Sequence, residues 1–311
     1  MSTIHVINSP VGGAWEIVRR LVERGDKYVL TSPECFRLIL KSKPEVCFHF
    51  HQPKSHLFCL FLTLLGKNSA GKFTCVLHES SGYTGGVASK CRSKCGHALR
   101  WIVINALRIF NVEIVGVSKY VLHSYNIFNG KKISYLGLFR EDLDAILCGH
   151  LLKRPSTLAV VWIRRGDFLR VTQWIEVLNR RSLVSEVYLF GDSVEVGRVK
   201  DYLADRYKDI SIAKCNNRIE RSAFLKILAK STWFISVFDK EGFGLSAFEA
   251  LCSGCICLLP RAGAIPEWLP ACNFHIADCL LETNVDIKLS YLKKVSRYNR
   301  ILAKEILKNE S

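Results

Sequence analysis

The sequence predicts an α/β fold built from two doubly wound domains, each with a parallel sheet covered by helices. Three observations predict it. Short apolar segments alternate with amphipathic ones along the whole chain, and the apolar segments show no polar alternation, which is typical of buried parallel strands. The alternation restarts after a polar stretch at Leu151–Ser156, and 311 residues suit two domains of roughly 150 residues each.

The first half begins with a strand at Ile4–Ile7, broken by Gly12 and Gly13. The helix that follows carries one apolar stripe, formed by Ala14, Ile17, Val18, Leu21 and Val22. Ser32 and Pro33 predict another helix start, because serine caps the first turn and proline suits its first position. Further elements are strands at Tyr28–Thr31, Val46–His51, Phe73–His78 and Glu113–Ser118, and a helix at Trp101–Phe110.

The second half repeats the pattern. Its predicted strands are Leu158–Ile163, Val187–Phe190, Ile210–Ala213, Trp233–Val237 and Cys255–Leu259. Its predicted helices are Val171–Leu178, Arg221–Lys230, Leu245–Leu251 and a basic closing helix from about Ile287 to Leu307. We therefore expect domains at 1–153 and 154–311, with the closing helix packing back on the first domain. In such folds, ligands bind at the carboxyl ends of the strands.

Composition narrows the class of protein. Hydrophobic residues make up 49% and charged residues 23%, which excludes wholesale disorder. The most apolar run, His56–Leu65, is far shorter than the roughly 20 residues of a spanning helix, and the first residues lack the pattern of a signal peptide. We therefore expect a cytoplasmic protein, and we expect most of its 13 cysteines to be reduced, buried thiols. The cluster Cys252, Cys255 and Cys257 has no partner pair at zinc-site spacing, so no metal site is predicted.

The most informative segment is a glycine-rich turn that leads into a helix near Leu245. Glu241 lies in the turn and Glu249 eight positions later, about one turn inside the helix. The N–H groups at a helix N-terminus suit an anionic phosphate, and carboxylates beside it suit sugar hydroxyls. An ordinary turn with solvated glutamates is the alternative for a single pair of carboxylates.

This segment resembles glycosyltransferase family 4, the retaining nucleotide-sugar transferases of the GT-B fold. The matching positions are Glu241, Gly242, Phe243, Gly244, Leu245, Glu249, Ala250 and Gly254, with Gly263 and Glu267 beyond them. The chain departs from the family at Ile256, where proline is usual. The resemblance implies two Rossmann-like domains facing a cleft. It also implies that Glu249 holds the nucleotide ribose, that Glu241 contacts the transferred hexose, and that Gly242 to Leu245 contact the donor.

The same resemblance implies a pair of cations after the first strand of the second domain. This chain has Arg164-Arg165-Gly166 and then Arg170. Two cations there would clamp a diphosphate and stabilise its departure. Ile163 replaces the usual glycine and Arg170 the usual lysine, and either Arg164 or Arg165 could be the first cation. A solvated basic loop is the competing interpretation.

Residues of the first domain complete the expected site. Gly13, between the first strand and helix, resembles the family loop beside the donor phosphates, and His78 resembles the histidine near the transferred sugar. A structural role for His78 is an equal alternative. His49 and His51 are predicted to be structural, and Ser118 matches a family position near the domain junction.

The strongly positive net charge of the chain indicates an anionic partner. The chain has 44 lysines and arginines against 28 acidic residues, a formal charge of +16. Basic residues flank the apolar helix around Trp101–Phe110: Lys90, Arg92, Lys94, Arg100 and Arg108. Such a segment can lie on an anionic membrane, although a core helix with a basic edge explains it equally well. No motif supports nucleic-acid binding.

The resemblance thus implies a retaining, metal-independent hexosyltransferase. Its donor would be a nucleotide-diphosphate sugar, used as substrate, with no cofactor. Its acceptor would be a hydroxyl of a glycan or lipid-linked carrier, of the kind used in lipopolysaccharide, O-antigen or capsule synthesis, at the inner face of the membrane. The alternatives are a catalytically silent GT-B-like scaffold, or a GT-B epimerase or phosphorylase.

Overall fold

The chain folds into two compact units, each built on one parallel sheet. The first comprises Met1–Leu138 with Lys240–Phe243, and the second comprises Phe139–Asp239 with Gly244–Ser311. The computed structural model describes residues 2–8, 13–42, 46–66, 73–78, 90–148, 158–164, 166–214, 219–282 and 287–309. Both sheets are parallel, and helices connect most of their strands, so the predicted α/β fold class is confirmed. The boundary expected at 151–156 lies outside the described residues and stays a prediction.

The first unit alternates strands and helices in a six-stranded sheet. Its strands are β1 (Ser2–Ile7), β2 (Lys27–Leu30), β3 (Val46–Phe50), β4 (Phe73–Leu77), β5 (Glu113–Gly116) and β6 (Lys131–Lys132). Its helices are α1 (Gly13–Glu23), α2 (Pro33–Lys41), α3 (Pro53–Leu64), α4 (Lys90–Ile109) and α5 (Lys119–Ser124). The strand order is β2-β1-β3-β4-β5-β6, and every pair is parallel.

Local chemistry explains where these elements begin. The Ser32 hydroxyl accepts a hydrogen bond from the Cys35 N–H at 3.2 Å, and Pro33 occupies the first position of α2, as predicted. In the strands, alternate side chains point to opposite faces. Ile4, Val6 and Phe50 belong to the buried core of this unit. The residues between them along the strands face the other side of the sheet.

The second unit has a five-stranded sheet in the order β11-β10-β7-β8-β9, again parallel throughout. Its strands are β7 (Leu158–Ile163), β8 (Glu186–Gly191), β9 (Ser211–Lys214), β10 (Trp233–Ser236) and β11 (Ile256–Leu258). Its helices are α6 (Arg140–Cys148), α7 (Phe168–Arg180), α8 (Ser193–Arg206), α9 (Arg221–Lys230), α10 (Leu245–Cys252), α11 (Ala271–Leu281) and α12 (Leu289–Asn309). The strands β7 and β10 are parallel neighbours, so their carboxyl ends lie side by side.

The closing helix α12 packs within the second unit, against α10, β11 and α6. Buried amides fix it there. The Asn299 side chain donates to the Cys255 carbonyl at 2.8 Å and to the Asn273 side-chain oxygen at 3.1 Å. Asn273 in turn accepts from the Cys257 N–H at 2.9 Å. The expected packing of this helix on the first domain stays a prediction.

Candidate functional site

The glycine-rich turn before α10 has the backbone geometry that its glycines allow. Gly244 lies in the left-handed region, with φ 86° and ψ 55°, and Leu245 then begins the helix. This conformation costs a residue with a side chain free energy that glycine does not incur. The N–H groups of the first turn of α10 are therefore presented at the carboxyl edge of the second sheet.

Gly242 is required for a different reason, which is close packing. A Cβ atom at this position would lie 2.1 Å from the carbonyl oxygen of His78, at the end of β4. The next residue, Phe243, packs against the core of the first unit. Glu241 is half-buried beside them. The motif thus needs glycine at Gly244 for its left-handed backbone and at Gly242 for close packing against the His78 carbonyl.

The end of β7 carries a cluster of charged side chains. The Arg164 N–H donates to Asp167 Oδ2 at 2.9 Å, and the Arg164 guanidinium lies 4.0 Å above the Phe238 ring. Arg170 lies 3.4 Å from Asp167 Oδ1 and 4.0 Å from Asp239 Oδ2, with its side chain half-exposed. The structure therefore brings Arg164 and Arg170 together at the adjacent ends of β7 and β10.

Burial raises the pKa of Asp167 above its ordinary value, while the Arg164 N–H and the two guanidinium groups oppose that rise. Gly166, with φ 87°, makes the tight turn that lets Asp167 reach back to the strand end.

The third arginine of the predicted cation set, Arg165, lies outside the described residues. Gly13 is the first residue of α1.

Glu249 takes part in a buried charge network. It is almost fully buried on α10, and its carboxylate contacts the Arg221 guanidinium of α9. Arg221 Nε also donates to Asp142 Oδ2 of α6 at 3.1 Å, and its guanidinium lies 4.4 Å above the Phe139 ring. The structure thus places Glu249 against Arg221, whereas Arg164 and Arg170 surround Asp167.

His78 belongs to a row of polar rings in the first unit. Its Nε2 lies 2.9 Å from His51 Nδ1, and its ring stacks on Tyr135 with centroids 5.9 Å apart. His51 Nε2 lies 2.8 Å from His5 Nδ1, and His5 Nε2 lies 3.0 Å from Asp26 Oδ2. Burial lowers the pKa of His78 to about 3, so its imidazole is neutral at pH 7.

Several residues of these clusters are not predicted by the sequence patterns: Asp167, Asp239, Arg221, Asp142, His5 and Asp26. Only Asp167 had a usable signal, since an aspartate after a glycine at a strand end is a common helix start. The partners of Glu249 and of His51 are distant in sequence and become neighbours only through the strand order.

Comparison with known proteins identifies the fold. No protein-family model matches the chain. Solved structures similar over nearly its whole length are glycosyltransferases, and the chain has their GT-B fold.

HepE of Anabaena, in complex with UDP and glucose, is 12% identical, with a TM-score of 0.63 over 98% of this chain and 95% of that one. The UDP-forming trehalose-phosphate synthase of Burkholderia xenovorans, in complex with glucose-6-phosphate, is 12% identical, with a TM-score of 0.65 over 99% and 98%. Sucrose-phosphate synthase of Thermosynechococcus elongatus is 13% identical, with a TM-score of 0.63 over 99% and 95%.

Proposed function

We propose that the protein is a retaining glycosyltransferase of family 4, which transfers a hexose from a nucleotide-diphosphate sugar to a hydroxyl acceptor. The observation that carries this proposal is the pair of guanidinium groups, Arg164 and Arg170, at the adjacent ends of β7 and β10. It is supported by the likeness in fold to HepE, which was solved with UDP and glucose.

The donor diphosphate would bind between these cations and the first turn of α10. Arg170 is half-exposed and shared between two carboxylates, so its guanidinium can turn toward an incoming phosphate. Fixed cations and N–H groups stabilise the charge that develops on the leaving diphosphate, with no bound metal in the proposed step.

The two glutamates would position the rest of the donor. A carboxylate has about four lone-pair sites, so Glu249 can accept a hydrogen bond from a ribose hydroxyl while it contacts Arg221. Glu241, which is half-buried, would contact the hexose. His78, at the end of β4, would lie near the transferred sugar together with Gly13.

We also propose that the acceptor is lipid-linked and that the first unit meets an anionic membrane at its cytosolic face. The packed helices α3 and α4 each expose an apolar stripe. On α3 the exposed side chains are Leu57, Phe61 and Leu64, and on α4 they are Leu99, Ile102 and Ile109. Arg100 and Arg108 lie on α4 beside them. Within the described residues, no helix is both long and apolar enough to cross a membrane.

Donor titration and initial rates test the transferase proposal. Wild-type protein should bind one of a panel of nucleotide-diphosphate sugars and either transfer or slowly hydrolyse its sugar. Arg170→Ala should lower turnover about 10²-fold, since it removes a charge-assisted contact to the leaving group. Arg206→Ala, an exposed arginine at the end of α8, is the matched control and should leave turnover unchanged.

The glutamate variants separate the two donor roles. Glu249→Gln should weaken nucleotide binding, whereas Glu241→Gln should reduce transfer more than nucleotide binding. A protein that binds donors but never cleaves them is a scaffold, which contradicts the enzyme proposal. Wild-type rates in Arg170→Ala would show instead that the site is misplaced.

Sedimentation with anionic vesicles tests the membrane proposal. Binding should be salt-sensitive, and Ile102→Asp with Ile109→Asp should abolish it, because the apolar stripe of α4 would become charged. Val194→Asp alters an equally exposed apolar side chain on α8 of the second unit and is the control. Unchanged sedimentation of the α4 variant would refute the proposal.

A further inference from the structure

Three imidazoles converge on one face of the first sheet, opposite the apolar core. His5 of β1 is the register partner of His49 of β3, and His51 follows two residues later on the same face. One ring nitrogen of each lies within 4.8 Å of the others. His5 and His51 are buried and His49 is half-buried.

The spacing of these rings suits a single metal ion. Zinc–nitrogen bonds of about 2.1 Å at tetrahedral angles place two bound nitrogens about 3.4 Å apart and their ring centroids about 5 Å apart. The centroid of His5 lies 5.4 Å from that of His49 and 5.0 Å from that of His51, and the remaining pair is 6.3 Å apart. The three ring nitrogens now lie within 4.8 Å of one another, so binding one ion requires the rings to rotate until each pair is about 3.4 Å apart.

The outward nitrogens of two of these rings already have partners. His5 Nε2 lies 3.0 Å from Asp26 Oδ2, and His51 Nδ1 lies 2.9 Å from His78 Nε2. The inward nitrogens, His5 Nδ1 and His51 Nε2, therefore face each other at 2.8 Å. Metal-binding histidines commonly have this arrangement, in which the second nitrogen donates to a carboxylate or another acceptor.

A chain of hydrogen bonds from Asp26 to His78 accounts for part of the cluster but gives His49 no role. Within the described part of the chain, the His49 ring makes no hydrogen bond, although it contacts both other rings.

We propose that His5, His49 and His51 bind one divalent transition-metal ion of the zinc class. Imidazole suits zinc, and three histidines leave a fourth position for water or another ligand. Asp26 would act as an outer carboxylate that orients His5. The ion would link β1 to β3 within the first unit, away from Arg164 and Arg170 in sequence and in sheet.

Metal binding by the full chain, prepared without a histidine tag and stripped with chelator, tests this site. Equilibrium dialysis against Zn²⁺ should give one tightly bound ion per chain, and Co²⁺ should give the intense visible absorption of a tetrahedral site. His49→Asn should lose this ion while keeping its circular dichroism spectrum, because the ring is half-buried and lies outside the hydrogen-bonded row. Asp26→Asn should weaken binding 10- to 100-fold.

His123→Asn, at an exposed histidine of α5, is the control and should bind like wild type. A wild-type chain that retains no zinc would overturn the proposal, and the row of rings would then be held by hydrogen bonds alone. Equal zinc occupancy in wild type and in folded His49→Asn would overturn it as well, because the ion would then bind elsewhere.

Discussion

Arg221 is the central cation of a buried network, and we expect Arg221→Met to destabilise the second unit strongly. The guanidinium contacts Glu249 and donates to Asp142 at 3.1 Å. The side chain of Glu249 is only 3% exposed, whereas that of Asp142 is 28% exposed. Methionine keeps most of the length of arginine but leaves the buried carboxylate without this cation.

The expected magnitude follows from these exposures. Removing one partner of a buried ion pair costs about 3–5 kcal/mol. Arg221 is 20% exposed, so water reaches part of the pair and the lower end, about 3 kcal/mol, is expected. Asp142→Asn should cost about 1 kcal/mol or less, because that carboxylate is partly hydrated in the folded protein. Glu249→Gln added to Arg221→Met should recover part of the loss, since the buried charge is then gone.

Urea unfolding followed by tryptophan fluorescence and far-ultraviolet circular dichroism measures these differences. Arg206→Met is the control, because its ion pair with Glu176 spans 3.8 Å and Arg206 is well exposed. It should change the free energy of unfolding by less than about 0.5 kcal/mol. A cost below about 1 kcal/mol for Arg221→Met, or strict additivity with Glu249→Gln, would refute the reasoning.

Two further predictions concern the packing at Gly242 and the protonation of His56. Gly242→Ala should lower the free energy of unfolding by about 1–3 kcal/mol, because its Cβ would lie 2.1 Å from the His78 carbonyl oxygen. Gly197→Ala, in open space on α8, should instead stabilise by up to about 1 kcal/mol, and equal effects in urea unfolding would contradict this. Burial lowers the pKa of His56 from 6.5 to about 4, so between these pH values His56 is protonated in the unfolded chain and neutral in the folded one. The contribution of neutral His56 to the free energy of unfolding has its full value above pH 6.5. It falls by about 3 kcal/mol as the pH drops to about 4. His56→Gln should flatten that dependence in unfolding curves measured across this range, and exposed His123→Gln should not.

The apolar segment that forms α3 shows the limit of hydrophobic periodicity as a predictor of helices. The run around His56 is apolar on nearly all sides, so it has no polar face from which to predict a helix. The structure makes it α3, with Leu57, Phe61 and Leu64 exposed at helical spacing. Helix α8 was likewise not predicted, although the Asp192 carboxylate accepts from two N–H groups of its first turn.

The class of fold and the local elements are predictable from the amino-acid sequence alone. Apolar strands between amphipathic helices are local properties, and the predicted bounds of β7 and α9 agree with the structure residue for residue. The steric needs of Gly244 are local as well, because they depend on one residue's φ and ψ.

Which side chains come into contact, by contrast, depends on the assembled sheets. Arg221 lies 79 residues from Asp142, and the order β2-β1-β3 places His5 beside His49 although another strand lies between them in sequence. Strand order depends on crossover connections and on the burial of whole faces, which no local pattern encodes. The charged and imidazole clusters therefore became visible only once the sheets were assembled.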